Sequence, residues 1–286
     1  MQNPAESQLI HDRSAGVARL LAIMEALRHP VHGCPWDVKQ SFTSITPYTI
    51  EEAYEVVDAI TREAWEELPG ELGDLLLQVV FYARMAEEAG RFDFDGVVQS
   101  VCDKMVARHP HVFGDQSNEK TPEQQKIDWE TLKAAERGGA RVLDGVALGL
   151  PALTRAVKLQ NRAARVGFDW PETVQVLDKL LEESRELVEA KDSLGPEELR
   201  EEFGDLMFVM ANLARHLKID PEAALRGANE KFIRRFTHIE DVLQAEGRSP
   251  AESDLAEMDR LWDEAKGLDK AGRLAGGRAV RAVREE

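Results

Sequence analysis

Glu182-Glu183-Ser184-Arg185-Glu186, with Glu202-Phe203-Gly204-Asp205 following 16 positions after Glu186, is the stretch that decides the architecture of this chain. Residues three apart share a helix face, so Glu183 pairs with Glu186 and Glu202 with Asp205. The two pairs meet only if the chain reverses between them. Ser193-Leu194-Gly195-Pro196 supplies the reversal: Ser193 reads as an N-cap, and Pro196 with Glu197 and Glu198 suits a first helical turn. The mean position of residues 183, 186, 202 and 205 is 194, on that turn. Two antiparallel helices folded there bring the pairs level, each about 14 Å from the bend.

The same pattern stands 131 residues earlier, as Glu51-Glu52-Ala53-Tyr54-Glu55 and Glu71-Leu72-Gly73-Asp74, with the same gap of 16. One Glu-Glu-x-x-Glu arises readily in an acidic chain. Its recurrence at a single offset, with the same Gly-Asp-Leu continuation, points to duplication. In this copy the mean position of residues 52, 55, 71 and 74 is 63, and Pro69-Gly70 come late, so the first hairpin is expected to be less well centred.

Converging carboxylates repel one another unless cations or water compensate them. Oxygen-only sets without nearby Cys or His favour Mg²⁺, with Mn²⁺ as a substitute, over zinc, and such ions keep positions for water and substrate phosphates. A solvated acidic face is the plain alternative for one Glu-x-x-Glu. The paired, duplicated arrangement weighs against it.

The whole chain of 286 residues fits two domains of ordinary size, and at 43% hydrophobic and 31% charged it is globular in composition. A net charge of −17 disfavours nucleic acid and anionic membranes as partners. No apolar run is long enough to span a bilayer. The start Met1-Gln2-Asn3-Pro4-Ala5-Glu6 has no signal-peptide character, and Cys34 and Cys102 are the only cysteines. A cytoplasmic protein with reduced thiols is expected.

Helical periodicity dominates, and no stretch alternates like a strand, so the expected class is all-α. Val17, Leu20, Leu21, Met24 and Leu27 mark a first helix, and 50–62 with 70–88 form the first acidic hairpin. A further helix at 94–108 stops at His109-Pro110; the second half repeats the order at 152–165, 174–191, 197–216 and 221–244. The expected division is a first module at 1–115, a connector at 116–150, a second module at 151–265 and a flexible tail at 266–286. Two hairpins packing as a four-helix bundle need more cover than one hairpin gives, on residues such as Leu206, Phe208, Val209 and Leu213, and dimerisation supplies it.

Basic pairs follow both hairpins: Lys104 and Arg108, then Lys231 and Arg235. Lysine and arginine four apart share a face suited to phosphate oxygens, although surface ion pairing accounts for many such pairs. Lys179 stands one turn before Glu183, where the first copy has Tyr48. Trp262 and Trp129 follow their modules as candidates for base stacking, with a half-buried core role the commoner use of tryptophan. Other signals are weak. Phe92-Asp93-Phe94-Asp95-Gly96 lacks the rest of a calcium loop, His109-Pro110-His111 reads as a helix stop, and neither hairpin has the Glu-x-x-His of di-iron bundles.

With these residues assembled, the chain resembles the MazG nucleoside triphosphate pyrophosphohydrolases of the all-α NTP pyrophosphatase superfamily. Beyond both acidic sets, the resemblance rests on Gly33-Cys34-Pro35-Trp36-Asp37, Arg108-His109-Pro110-His111-Val112-Phe113, Val166-Gly167-Phe168-Asp169-Trp170 and Asn229-Glu230-Lys231-Phe232. It covers about Val17 to Trp262. It departs mainly at the N-terminus, the connector and the tail.

The resemblance implies Mg²⁺-dependent hydrolysis of a nucleoside triphosphate to the monophosphate and pyrophosphate, in a homodimer of tandem MazG-like modules. It makes Glu183, Glu186, Glu202 and Asp205 metal ligands of the second module, and Lys179, Glu182, Lys231, Arg235 and Trp262 the lining of its nucleotide site. Glu182, four before Glu186, is the candidate catalytic base. Glu52, Glu55, Glu71 and Asp74 form the second candidate metal set. Because Tyr48 replaces Lys179 in the first copy, most of the catalysis is expected in the second. The alternatives are a nucleotide-binding or protein-binding regulator with one or both sites silent, and a base-selective dUTPase-like enzyme.

Overall fold

Helix is the only regular structure among the described residues of the computed structural model, which are 8–114, 121, 124, 125, 129 and 141–274. The chain divides into two compact units, Met1–Gly138 and Gly139–Glu286. That boundary falls within the expected connector, much of which lies outside the described residues, as does most of the expected tail. Residues 141–150, also assigned to the connector, are described, and Arg162 donates there to the carbonyls of Asp144 and Gly145.

The first unit contains α1 (Gln8–His11), α2 (Gly16–Leu27), α3 (Pro35–Lys39), α4 (Thr46–Thr61), α5 (Leu68–Glu88), α6 (Phe94–Arg108) and α7 (Pro110–Phe113). α4 and α5 form the acidic hairpin, and α2 and α6 pack on α5. Met24, Ile45, Val80, Phe81 and Met85 make the core. Arg28, buried beside them, lies 5.2 Å over the Phe81 ring and pairs with Glu88 at 2.7 Å, so its charge is compensated where water is scarce. Gly33 has a steric reason. A Cβ there would come within 2.4 Å of the Leu27 carbonyl oxygen, because the chain folds back against the end of α2.

The reversal between α4 and α5 is closed by charge. Arg62 donates from Nε to Asp58 at 2.6 Å and from Nη2 to Glu67 at 2.8 Å. Pro69 then sits in the first turn of α5, where its missing N–H costs nothing. Asp93, the first aspartate of the rejected calcium loop, caps α6 by accepting from the Gly96 amide at 2.8 Å.

The second unit contains α8 (Ala152–Ala164), α9 (Thr173–Ser193), α10 (Pro196–His216), α11 (Pro221–Ala245) and α12 (Leu255–Lys270). α9 and α10 form its acidic hairpin, α8 packs on α10, and α11 packs on α12 and α8. Gln160 ties α8 to α10 by donating to the Phe208 carbonyl at 2.8 Å. The turn lies at the expected place, but Ser193 ends α9 and Gly195 is the N-cap of α10, without a side-chain cap bond. Pro196, with Glu197 and Glu198 facing the positive helix end, starts α10 unaided.

α12 was not expected from the sequence, and it carries residues 266–270 of the expected tail in helix. Asp254 caps it through the Glu257 amide, and Arg248 pins Glu257 at 2.6 Å. Ile239, Leu243 and Leu261, with Phe236, Met258 and Trp262 against them, form the core between α11 and α12. No helix among the described residues is long and apolar enough to cross a membrane.

Both acidic hairpins leave an apolar stripe exposed, and the stripes repeat. Ile50, Val57, Leu72, Leu76 and Val79 in the first recur 131 residues later as Leu181, Val188, Phe203, Met207 and Met210. This corrects the residues expected to need cover: Phe208 is exposed, but Val209 is already buried, and Leu206 and Leu213 are half-buried. The uncovered side of α10 runs through Phe203, Met207 and Met210.

Candidate metal centre

In the second unit, Glu183, Glu186 and Glu202 each offer a carboxylate oxygen such that the three lie within 4.8 Å of one another. Glu52, Glu55 and Glu71 do the same in the first. The late position of Pro69-Gly70 therefore does not prevent convergence; the short segment clipped by Arg62 reverses the chain soon enough. Asp205 and Asp74, expected as fourth members, are exposed and stand outside these tight groups. An aspartate side chain is one methylene shorter, and repulsion favours keeping a fourth charge apart.

Charge compensation differs between the copies. In the second, Lys179 Nζ lies 2.7 Å from Glu182 Oε1 and 2.8 Å from Glu183 Oε1. These two hydrogen bonds raise the Lys179 pKa. Glu183 is only 5% exposed, and its Oε2 is buried with no hydrogen-bond partner. An orphaned carboxylate oxygen in such a place is costly on its own and fits a cation ligand. Glu186 has its pKa raised by desolvation, against which Lys179 acts, with Glu183, Glu182 and Glu202 adding to the rise.

In the first copy Tyr48 turns its ring edge-on to Trp36, with centroids 5.9 Å apart. Glu52 is pushed up to about 7 by desolvation first, then by the charges of Glu55 and Asp74. Glu71 is raised by the same causes, desolvation leading and Glu55 and Asp74 following. Asp74 is thus close enough to be felt although it stands outside the tight group.

The donor sets consist of oxygen alone, and both suit a hard divalent cation. Such an ion would relieve the repulsion within each group and satisfy Glu183 Oε2.

The other expected nucleotide-binding residues sit on the α11–α12 pair. Lys231 is exposed, while Arg235 lies 5.7 Å over the Trp262 ring and pairs with Asp269 at 2.9 Å. Trp262 is half-buried, 5.2 Å from Phe232, and packs on the core of this pair. Asp269, which also takes Arg234 at 3.1 Å, was missed in the sequence. The signal was present: Leu255, Met258, Leu261, Trp262, Ala265 and Leu268 repeat at helical spacing behind Asp254. In the first unit Lys104 is exposed, and Arg108 ends α6.

Comparison with known proteins places this geometry. The family described as the MazG nucleotide pyrophosphohydrolase domain matches the chain twice, over residues 40–113 and 172–240. The chain belongs to this family. Each match contains one complete hairpin with its carboxylate group, and the second also reaches Lys231 and Arg235 but stops before Trp262 and Asp269. The chain is 49% identical over 255 residues to a nucleoside triphosphate pyrophosphohydrolase of Escherichia coli strain K12, covering 87% of this chain and 97% of that protein. It is 43% identical over 263 residues to the nucleoside triphosphate pyrophosphohydrolase/pyrophosphatase MazG of Thermotoga maritima, covering 90% and 99%. A Bacillus subtilis protein, YabN, is 42% identical over 255 residues, which are 51% of its length.

Proposed function

We propose that the chain hydrolyses nucleoside triphosphates to the monophosphate and pyrophosphate with Mg²⁺, mainly in the second unit and as a homodimer. The observation that carries the metal-dependent chemistry is the carboxylate group of Glu183, Glu186 and Glu202, together with the partnerless buried Oε2 of Glu183. Membership of a pyrophosphohydrolase family, and the names of relatives similar over nearly their whole length, support the reaction class.

Glu183, Glu186 and Glu202, with Asp205 drawn in, would hold the ion, which supplies Lewis-acid neutralisation of phosphate charge and activation of water. Glu182 has one oxygen on Lys179, leaving the other to take the proton as the water oxygen bonds to the α-phosphorus. The α–β bridging P–O bond breaks, and pyrophosphate leaves with the bonding pair. Lys231 and Arg235 bind phosphate oxygens, and Trp262 stacks on the base. The first unit keeps its carboxylates but has Tyr48 where the second has Lys179, which supports a regulatory or structural role for it.

The homodimer reading rests on the exposed stripe through Leu181, Val188, Phe203, Met207 and Met210. A run of large apolar residues along two adjacent helices is ordinary at an interface and unusual on a free surface. Pyrophosphate release from a panel of triphosphates, with Mg²⁺ and with EDTA, tests the reaction. Tight nucleotide binding without pyrophosphate would replace the enzyme by a regulator, and turnover of one deoxyuridine substrate alone would favour the base-selective alternative.

A further inference from the structure

The position of Lys179 is hard to reconcile with a residue that simply waits for phosphate. Its ammonium is engaged by Glu182 at 2.7 Å and by Glu183 at 2.8 Å, and it faces Glu186 closely enough to oppose that residue's raised pKa. One positive charge therefore serves a patch of four carboxylates, counting Glu202. Glu183 divides its two oxygens: Oε1 goes to Lys179, and Oε2 is buried without a partner.

We propose that Lys179 is the resident counter-cation of the second carboxylate group, that a divalent ion entering the group takes Glu183 from it, and that the released ammonium is the one offered to the triphosphate. The inference rests on the metal reading of this group. Two cations on one buried carboxylate repel each other, and even in a water-like dielectric a divalent ion and an ammonium a few ångströms apart differ in affinity by about tenfold from the case without the ammonium. An ion seated on Oε2 draws the carboxylate charge to itself and repels the ammonium on Oε1, so its entry loosens Lys179 from Glu183. Once displaced, the long side chain has lost one of its two partners, and a polyphosphate is the strongest acceptor brought to it. Ion entry and phosphate binding are thereby coupled through one side chain. The first unit lacks the device, since Tyr48 occupies the equivalent position and packs on Trp36.

The test uses the full chain carrying Glu52→Gln/Glu55→Gln, so that only the second group titrates, and measures Mn²⁺ binding by calorimetry without nucleotide. Lys179→Met should bind Mn²⁺ about tenfold more tightly than its background, and Lys179→Arg should stay near it. Lys179→Gln, checked for helicity by circular dichroism, repeats the measurement should the methionine variant fold poorly. In turnover, the KM for nucleotide should rise in the same variants whose ion affinity improves, a pairing that a merely structural role does not produce. Unchanged or weaker Mn²⁺ binding in Lys179→Met overturns the proposal. Adding Glu183→Gln to the background separates the two readings: if Mn²⁺ affinity is unaltered there, the metal assignment itself fails, whatever Lys179 does.

Discussion

Tyr48 and Lys179 occupy equivalent positions of the two acidic hairpins; the first meets the indole of Trp36 and the second meets two carboxylates. One substitution thus separates a carboxylate group with a cation built in from one whose Glu52 is held up at about 7. The two groups converge in the same way, and the difference in charge compensation supports a division of labour between them.

That division predicts the outcome of a paired comparison. Glu52→Gln/Glu55→Gln is expected to keep most pyrophosphate release, and Glu183→Gln/Glu186→Gln to lose it. The reverse result would assign turnover to the first unit and leave Lys179 without a catalytic context.

Glu183→Gln alone is expected to lower turnover by at least about a hundredfold, because the lost ligand is the one whose buried oxygen has no other partner. Asp205→Asn should cost less, since Asp205 stands outside the tight group. A solvated acidic face predicts little change in either, and steady-state kinetics on folded variants distinguishes the cases.

The chain is expected to sediment as a dimer, and Phe203→Asp or Met207→Lys to shift it toward monomer by placing charge on the uncovered stripe. Analytical ultracentrifugation over micromolar dilution reads this directly. A monomeric wild type would leave the stripe to be covered within the chain.

Acid should loosen the α11–α12 pair through Glu257. Hydrogen bonds from Arg248, then Ser253, hold its pKa at about 2 in the folded chain, against an ordinary value of 4.5. The folded state therefore favours the ionised form. The stabilisation is present above pH 4.5 and is lost as the pH falls toward 2. Urea unfolding of wild type and Glu257→Gln should differ at pH 7 and converge near pH 2; equal curves at pH 7 would show that the pair contributes nothing.

The hairpins were legible because each carries its own punctuation. Pro196 and the acidic first turn fix the start of α10, and the duplicated Glu-x-x-Glu pairs fix which faces meet. What escaped the sequence depends on contacts between distant residues. The orphaned state of Glu183 Oε2 needs the burial that packing creates, and the hold of Asp269 on Arg234 and Arg235 joins residues more than thirty positions apart. The uncovered stripe of α10 runs through Phe203, Met207 and Met210 rather than Leu206 and Val209, because both sides of the helix are apolar enough to serve as core. α12 is a different case, its periodicity being plain once Asp254 is read as a cap.

Arg62 makes the two chain reversals respond differently to the solvent. The second is set by Gly195-Pro196, whose backbone preferences dissolved ions do not alter. The first is clipped by an exposed guanidinium between Asp58 and Glu67, and exposed charge pairs weaken as ionic strength rises. Salt therefore acts unequally on the two reversals: it weakens the clip between Asp58 and Glu67 while leaving the Gly195-Pro196 turn in place.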